Sequence, residues 1–394
     1  MNNQNVINNS GFEIKYCHEK YNSEWDAFVN EMDGEIQQSS VWANHDFTYH
    51  KWKAVRFYIK NGETIVAGCQ ISIINDYLMG NVGIINSGPI FRIKTPELMS
   101  LIVKEIKKCS QVMNLSFLMI RPDYNEHDLV PFLENEDFKS NFPYHLPYRN
   151  INLCSFYLDL HPSIDDLFKK MSKSRKKFIK RGLDSPVKVK IGGRDDLNVF
   201  YELFKSIISK HTCLDPITNK TVELQPYIEY DELCNIWDEL SPYGWVKLFL
   251  GTVENEVICG ELIFTFGKTV RGDSWGWNGK FKEYHISDMF QWEIIKWAKT
   301  NGFDYYDFGS IDGKIAEAFL SSQPIPEEWM QSSKYGPTVF KCQFNGKVIK
   351  YPNKYYCYSD RWKQIVETSS DDLVLLLKRY NEFYWGSKNF FREH

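Results

Sequence analysis

The sequence predicts a mixed α/β protein made of two similar domains, and three observations lead to this prediction. The chain has 394 residues, more than one hydrophobic core usually organises. Amphipathic segments of helical length alternate with short apolar strands along most of the chain. The order hairpin, strand, helix, strand occurs once in each half as a repeat of architecture and not of sequence, which is typical of two mixed α/β layers.

The first half contains one copy of this order. Strands at 54–59 and 64–74 form a predicted hairpin, because an Asn-Gly dipeptide between them favours a tight turn. A short apolar strand follows at 82–85. A helix is predicted at 96–112, since its first residue is proline, and a buried strand at 116–120 completes the order.

The second half repeats the order near its end. A hairpin is predicted across 246–266, followed by a strand at 270–277 and an amphipathic helix at 287–300. A short strand then ends near Asp307. The segments before this copy are a strand at 154–160, a helix at 163–180, a strand at 187–191 and helices at 197–209 and 226–240.

These elements predict two tandem domains. We expect the first over residues 1–152 and the second over 153–354. A C-terminal helix within 355–394, with its amphipathic stretch at 371–384, is expected to pack back on the first domain.

Composition excludes several classes of protein. The net charge is only −4, so any site for a polyanion must be local. The nine cysteines include no CxxC pair and the nine histidines no HxH or HExxH spacing, so we expect reduced thiols, a cytoplasmic location, no metal and no cofactor. P-loop and GxGxxG signatures are absent, and no apolar run could cross a bilayer, although work at a membrane surface stays open.

The candidate site lies in residues 302–346. A strand ends in Tyr306-Asp307-Phe308-Gly309, and a second strand is predicted to carry Lys341 between apolar neighbours. Polar groups at the end of a buried strand are where α/β folds usually build sites. The alternative interpretation is that Asp307 caps a turn and Lys341 is a surface lysine.

The densest run of charge lies at 169–181, where eight of thirteen residues are basic. Phosphate is the natural partner of such a run, because arginine binds it bidentately and lysine as a point charge. The alternative is a solvated helix face.

Several short motifs span most of the chain. They are Gln37 with Trp42-Ala43, Ser87-Gly88-Pro89, the basic segment 171–180, Trp297-Ala298 with Gly302 and Tyr306-Asp307-Phe308-Gly309, and Phe340-Lys341 with Phe344. In the order and spacing of these motifs the chain resembles the FemABX family of peptidyltransferases. The resemblance implies two fused GNAT-like domains that transfer an amino acid from aminoacyl-tRNA to an amine. The acceptor is typically a peptidoglycan precursor such as a UDP-linked muramyl peptide, and in some relatives a small peptide or secondary metabolite.

The resemblance also implies roles for individual residues. Lys341 would stabilise the oxyanion of aminolysis, Phe340 would position the acceptor end of the tRNA, and Asp307 would orient a substrate amine. The substrate-binding candidates are Lys51, Arg121, Asp123, Trp42 and Tyr306. The tRNA-binding candidates are Lys173, Arg175, Lys176, Lys177, Lys180 and Arg181.

Two features depart from the family, and two other functions stay open. Residues 206–240 are too short and too interrupted by proline for the long coiled-coil arm of some members, and 312–335 is a candidate lid.

The first alternative function is that of a GNAT-type acyltransferase that uses acyl-CoA or an acyl carrier protein, although the [RQ]-x-x-G-x-[GA] phosphate-binding signature is absent. The second is a non-catalytic protein that binds RNA or a partner.

Overall fold

The computed structural model describes residues 6–7, 11–77, 79–140, 154–209, 212–214, 221–223, 226–331 and 335–368. The chain divides into two units, each built around one large mixed sheet. Unit 1 contains Met1–Leu146 and Tyr351–Lys378, and unit 2 contains Pro147–Lys350 and Arg379–His394. The helix predicted at 371–384 lies outside the described residues.

The strands in chain order are β1 (Val6–Ile7), β2 (Phe12–Cys17), β3 (Lys53–Asn61), β4 (Thr64–Asp76), β5 (Gly80–Asn86), β6 (Ile90–Phe91), β7 (Phe117–Arg121), β8 (Cys154–Asp159), β9 (Lys188–Gly192), β10 (Thr212–Leu214), β11 (Thr221–Glu223), β12 (Val246–Val253), β13 (Glu256–Phe266), β14 (Thr269–Trp277), β15 (Tyr305–Ser310), β16 (Lys347–Lys350) and β17 (Tyr355–Tyr358).

The α-helices are α1 (Ser23–Glu31), α2 (Ser40–His50), α3 (Pro96–Val112), α4 (Val130–Asn135), α5 (Ile164–Lys170), α6 (Lys173–Leu183), α7 (Leu197–Ile208), α8 (Tyr230–Leu240), α9 (Ile286–Thr300), α10 (Gly313–Leu320), α11 (Glu327–Gln331), α12 (Gly336–Cys342) and α13 (Asp360–Thr368).

The sheet of unit 1 has the order β1-β2-β3-β4-β5-β7-β17, with β6 paired to β4. Its one parallel pair is β5 with β7, which helix α3 connects. Pro96 and the Thr95 side chain, which accepts from the Leu98 backbone N–H at 3.2 Å, begin that helix. Leu98, Ile102 and Ile106 lie on one helical face and are fully buried against the sheet.

The sheet of unit 2 repeats this arrangement in the order β9-β12-β13-β14-β15-β8-β16, beside a small β10-β11 hairpin. Again one pair is parallel, β14 with β15, and a helix, α9, connects it. Phe290, Ile294 and Ile295 of α9 are fully buried, and burial of each such side chain contributes about 1.5–3 kcal/mol. The predicted mixed α/β class with two similar layers is confirmed.

The predicted helix at 163–180 is two helices. Met171 has an extended backbone and ends α5, and Ser172 caps α6 by accepting from the Arg175 backbone N–H at 3.1 Å. Serine favours the N-cap over a helix interior, because its side chain satisfies a free backbone donor there.

Lys341 lies on helix α12 and not on a strand. Pro337 in the first turn starts this helix, since its fixed φ suits that position. Phe340 and Phe344 are four residues apart, and their ring centroids lie 5.4 Å from each other. The strand prediction was wrong because alternation of apolar residues over a short stretch does not distinguish a strand from one helical turn.

Two further features concern the ends and lengths of helices. Residues 355–358 form strand β17 against β7 and not part of a C-terminal helix, because three of the four are tyrosines, which favour strands. In the described part of the chain no helix is longer than the 17-residue α3, so no long coiled-coil arm occurs there. None of the described helices is long and apolar enough to cross a membrane.

Candidate active site

The candidate active site of unit 2 lies where the parallel strands β14 and β15 separate. The ladder between these two strands has three residue pairs and ends at Arg271 opposite Asp307. Beyond this pair the strands diverge, and β14 stays paired with β13 while β15 stays paired with β8. Both of these ladders change register here, next to Asp273 in β14 and Gly309 in β15. Register breaks of this kind redirect side chains and are common beside active sites.

Asp307 fixes the end of β15. Its carboxylate is buried, and Oδ1 accepts from the Ser155 hydroxyl at 2.5 Å and from the Gly309 backbone N–H at 2.8 Å. Oδ2 lies 3.7 Å from Nε of Arg271. The bond to Gly309, which has φ of 77°, closes a tight turn, so the contacts agree with the turn-capping interpretation of Asp307.

Lys341 reaches this turn from helix α12. Its side chain is partly buried, and Nζ donates to the Ser310 carbonyl oxygen at 2.7 Å. A Cβ placed on Gly309 would be 3.9 Å from Nζ. The ammonium group therefore lies at the end of β15, beside the point where the two strands separate.

Burial lowers the pKa of Lys341 to about 8, and the nearby Arg271 lowers it further, whereas Asp307 and Glu261 oppose the shift. The group is thus a cation at neutral pH that loses its proton easily. Lysines in this state are typical of active sites.

Glu261 is a buried carboxyl group on the neighbouring strand β13, and our sequence analysis missed it. The Tyr306 hydroxyl donates to its Oε1 at 3.4 Å and itself accepts from Nε2 of Gln291. Burial raises the pKa of Glu261 to about 8, so the carboxyl is mostly protonated at neutral pH. A Cβ on Gly272 would lie 2.6 Å from Oε1, which shows that this glycine leaves the room for Glu261. The available signal was a single acid inside an apolar strand.

Arg175 connects the basic helix α6 to the helix that carries Lys341. Its buried guanidinium pairs with Asp288 of α9 and donates to Gln343 Oε1 at 2.9 Å and to the Phe340 carbonyl oxygen at 3.3 Å. It also lies 4.3 Å from the ring centroid of Phe340 and 4.9 Å from that of Phe344. Arg175 was expected on the tRNA-binding surface, but these contacts give it a structural position.

The other basic residues of α6 are accessible. Lys173, Lys177, Lys180 and Arg181 are exposed, and Lys176 is half-buried with Nζ donating to the Lys169 carbonyl oxygen at 2.9 Å. These five side chains form the basic face of α6.

The candidate lid contains helices α10 and α11, and residues 332–334 lie outside the described part. Ile315 of α10 packs with Tyr335 and Val339, and Trp329 of α11 joins them. The Asp312 backbone N–H donates to the Thr338 hydroxyl at 2.9 Å. The segment therefore packs on the N-terminal part of α12, and its action as a lid stays a prediction.

In unit 1 the parallel pair β5–β7 ends with Asn86 opposite Arg121. The Arg121 guanidinium donates to the Ser87 hydroxyl at 3.0 Å and lies 5.7 Å from the ring centroid of Tyr351. Two residues on, burial raises the pKa of Asp123 to about 8, with further contributions from nearby carboxylates, and Arg121 opposes the shift. Unit 1 therefore has an arginine and a carboxyl group where its own parallel strands end.

The motif segments near residues 38 and 88 meet in unit 1. The Gln38 side chain donates to the carbonyl oxygens of Gln70 at 3.2 Å and Asn86 at 2.8 Å, and it accepts from the Gln70 backbone N–H at 2.9 Å. A Cβ on Gly88, which precedes a cis peptide to Pro89, would lie 2.9 Å from Gln38 Oε1. These residues fix the edge of β5 beside Arg121.

The remaining predicted substrate residues are placed differently. Trp42 is buried in α2, with its ring centroid 5.3 Å from that of His45. Lys51 is exposed, ends α2 with φ of 61°, and donates from Nζ to the Thr48 carbonyl oxygen at 2.5 Å. Tyr306 is fully buried and belongs to unit 2, whereas the other four candidates belong to unit 1.

Comparison with protein families finds one match in the first part of the chain and one in the second. Residues 21–136 match the FemAB family, and residues 167–317 match an acetyltransferase (GNAT) domain. Curated proteins provide no match to the sequence.

FemX and L-PGS are two of the solved structures that share the fold. FemX has a TM-score of 0.74 and 16% identity, with 89% of this chain and 100% of FemX covered. L-PGS from Bacillus licheniformis has a TM-score of 0.53 and 13% identity, with 92% of this chain and 98% of L-PGS covered. At sequence identities of 16% and 13%, the similarity to these two structures is evidence for a shared fold alone. The protein is thus an acyltransferase: one region of it matches the FemAB family, another matches a GNAT acetyltransferase domain, and the two lie on a tandem fold that is similar to that of FemX.

Proposed function

We propose that the protein transfers an aminoacyl group from aminoacyl-tRNA to an amine and so forms an amide bond. The observation that carries the proposal is the Lys341 ammonium at the separation of β14 and β15, beside Arg271 and Asp307. It is a cation of lowered pKa, held on a carbonyl oxygen at the end of a buried strand.

The reaction needs such a group. The acceptor nitrogen attacks the ester carbonyl carbon, and the carbonyl oxygen becomes an oxyanion. The bond from that carbon to the ribose oxygen then breaks. The proton that the nitrogen loses goes to this oxygen, which leaves as the tRNA hydroxyl. In the proposal Lys341 stabilises the oxyanion, and Phe340 lies beside the acceptor end of the tRNA. Asp307 positions Arg271 and the turn at Gly309 without touching the substrate.

The net charge of the residues around Lys341 supports its proposed role as the oxyanion-stabilising group. At neutral pH Lys341 and Arg271 are cations, Asp307 is an anion, and Glu261 is mostly protonated because burial raises its pKa to about 8. These four residues then carry one net positive charge, which complements one developing oxyanion. Fixed charges in a partly buried site act more strongly than in water.

The basic face of α6 supports a polyanionic donor. Its five lysine and arginine side chains are exposed or half-exposed. Through Arg175 the same helix is bonded to Gln343 and to the Phe340 carbonyl oxygen, next to Lys341. A tRNA bound along this face therefore meets a helix that is directly linked to the site of chemistry.

For the acceptor we propose an amine-bearing peptide, such as a UDP-linked muramyl peptide, bound in unit 1. Arg121, Asp123 and the exposed Lys51 are the binding candidates, since arginine and lysine are the usual partners of diphosphate. Trp42 and Tyr306 are buried, so we leave them out of the proposed contact set. Both proposed substrates are cytoplasmic compounds, so the proposal places the activity in the cytoplasm.

An acyl-CoA donor is the second candidate, because the match over residues 167–317 is to an acetyltransferase domain. The same oxyanion chemistry would then act on a thioester, with a thiol as the leaving group.

The test offers the purified protein charged tRNA and acyl-CoA in parallel, with UDP-linked muramyl pentapeptide and simple amines as acceptors and mass spectrometry as the readout. Deacylation of aminoacyl-tRNA is followed as well, because it needs no acceptor. We expect a product that depends on charged tRNA and disappears with ribonuclease. A product from acyl-CoA alone would replace the proposal with the second candidate.

A matched pair of variants separates catalysis from binding. Lys341→Met should lower the rate of transfer by about 10²–10³ with little change in tRNA affinity. Lys177→Met, on the exposed face, should weaken tRNA binding and leave the turnover of bound donor unchanged. A protein whose only measurable property is tRNA binding, unaffected by Lys341→Met and without deacylation activity, would be a non-catalytic RNA-binding protein.

A further inference from the structure

The C-terminal part of helix α2 in unit 1 gathers three metal-ligating side chains. His45, Asp46 and His50 each offer one ligand atom, and these three atoms lie within 4.8 Å of one another. His45 is 0% exposed, Asp46 is 4% exposed, and His50 is half-buried. The spacing His-Asp-x-x-x-His is not a familiar zinc signature, so sequence patterns did not indicate this cluster.

Helix geometry explains part of the convergence. Asp46 and His50 are four residues apart and therefore share a face of α2. His45 precedes Asp46 by one residue and starts from a neighbouring part of the helix surface. The helix ends directly after His50, where Lys51 has a left-handed backbone and the Trp52 N–H donates to the Asp46 carbonyl oxygen at 3.2 Å. The His45 and His50 ring centroids are 5.7 Å apart and nearly perpendicular.

Aromatic side chains hold both imidazoles. The His45 centroid lies 5.3 Å from the ring of Trp42 and 6.3 Å from that of Tyr49. The His50 ring is stacked on Trp52 at 4.7 Å and lies 5.0 Å from Tyr49. Fixed ring orientation lowers the entropy that the ligands lose on coordination, and an apolar wall strengthens the attraction between a cation and the carboxylate.

The donor set suits a particular class of ion. Two imidazole nitrogens and one carboxylate oxygen are typical of zinc and related divalent transition metals, whereas magnesium and calcium prefer oxygen ligands alone. Ligand atoms around tetrahedral zinc lie roughly 3.4 Å apart, for bond lengths of about 2.1 Å. Small side-chain rotations would bring the three atoms to that spacing.

We propose that His45, Asp46 and His50 bind one divalent transition-metal ion, with zinc the best match. Three protein ligands leave a fourth position for water or another ligand, on the side of the half-buried His50. The site lies one residue before Lys51, so a bound cation would add positive charge next to a side chain proposed to bind the acceptor. Metal binding is nevertheless independent of the proposed transfer reaction. The competing explanation is a hydrogen-bonded His–Asp cluster that takes no metal.

The test uses full-length protein without a histidine tag, treated with chelator and then titrated with zinc by calorimetry and with cobalt by visible spectroscopy. We expect one equivalent of each metal and an intense cobalt d–d band from a low-coordinate nitrogen–oxygen site. The variants are Asp46→Asn and His50→Gln. Unit 1 also supplies a matched control, because His127 and Asp128 are an adjacent and exposed His–Asp pair outside the cluster.

Each cluster variant should lose about 100-fold or more in zinc affinity, since loss of a direct ligand exceeds the roughly 10–100-fold effect of outer residues. The doubly substituted control His127→Gln/Asp128→Asn should bind as the unmodified protein does. If Asp46→Asn fails to fold, His50→Gln at its half-buried position decides the question. Two results would overturn the proposal and leave the hydrogen-bonded cluster as the explanation. One is that both cluster variants still bind one equivalent of zinc, and the other is that the unmodified protein binds no equivalent of zinc.

Discussion

Arg175 and Lys177 lie two residues apart on the basic helix α6, and we predict opposite effects from replacing them with methionine. The Arg175 side chain is 4% exposed and its partner Asp288 is 8% exposed, whereas Lys177 is exposed. Methionine keeps the apolar packing on Phe340 but leaves the Asp288 carboxylate buried without the guanidinium. Removal of one member of a buried ion pair costs about 3–5 kcal/mol.

The expected loss of stability follows from that figure. For a unit of about 150–250 residues, 1 kcal/mol shifts the melting temperature by about 2–4 °C, so Arg175→Met should lower that of unit 2 by about 6–20 °C. Lys177→Met should change the free energy of unfolding by less than about 0.5 kcal/mol. The double variant Arg175→Met/Asp288→Leu should recover most of the loss, because it removes the buried charge as well.

Kinetics distinguish the two positions a second time. Arg175 bonds to Gln343 and to the Phe340 carbonyl oxygen, so its loss should displace Lys341 and lower kcat, by about 100-fold for a 1 Å displacement. Lys177→Met should weaken tRNA binding and reduce the slope of log affinity against log salt by about 1. Calorimetric unfolding and salt-dependent filter binding measure these effects. Equal melting temperatures for the two single variants, or a reduced salt slope in Arg175→Met, would refute the structural assignment of Arg175.

Three other predictions follow from the site and its supports. Lys341→Met should lower kcat by about 10²–10³, and the kcat of the unmodified protein should fall as the pH rises through about 8, because burial lowers the pKa of Lys341 to about 8 and the ammonium is lost above it. The unfolded lysine titrates near its ordinary pKa of 10.5, so the unmodified protein should gain stability between pH 8 and 10.5 and Lys341→Met should not; parallel unfolding curves would contradict the shift. Gly272→Ala places a Cβ 2.6 Å from the Glu261 carboxyl oxygen, so we expect a loss of about 1–3 kcal/mol by urea unfolding together with reduced kcat. Gly193→Ala is the control, because a Cβ there has no atom within 4 Å and the φ of −125° suits any residue. Gln38→Leu leaves the Gln70 N–H and two carbonyl oxygens without their partner and should cost at least about 1–3 kcal/mol; an unchanged unfolding midpoint would show that water replaces these bonds.

The sequence predicted the sheets well because their signals are local. The Asn-Gly turn between β3 and β4 and the proline at the start of α3 each act within a few residues, and the apolar periodicity of α9 extends over four turns. The repeated order of elements also indicated two α/β layers, which the structure confirms. Short elements were less predictable: α12 was expected as a strand, because seven residues show too few turns to establish a period.

The candidate site was only partly predictable, because burial is a property of the fold. Nothing local distinguishes Arg175 from Lys177, and their different environments depend on α9 and α12, which are more than a hundred residues away in the chain. Glu261 acquires its role through Tyr306 and Gln291, each on a different element. Such groups become recognisable only when the strands and helices around them are placed.

The two units have similar charged groups where their parallel strand pairs end, and one difference between them supports our proposal that the chemical step belongs to unit 2. Both have an arginine and a carboxyl group at that point: Arg121 with Asp123 in unit 1, and Arg271 with Asp307 in unit 2. In unit 2 helix α12 adds Lys341, a second cation beside Arg271 at the end of β15, and a fixed cation of this kind stabilises an oxyanion. In the described part of unit 1, Arg121 has the Ser87 hydroxyl, the Tyr351 ring and Asp123 as neighbours, and none of these three adds a second cation. We therefore infer that unit 1 serves recognition, where an arginine beside a hydroxyl suffices to hold an anionic group, and that catalysis belongs to unit 2.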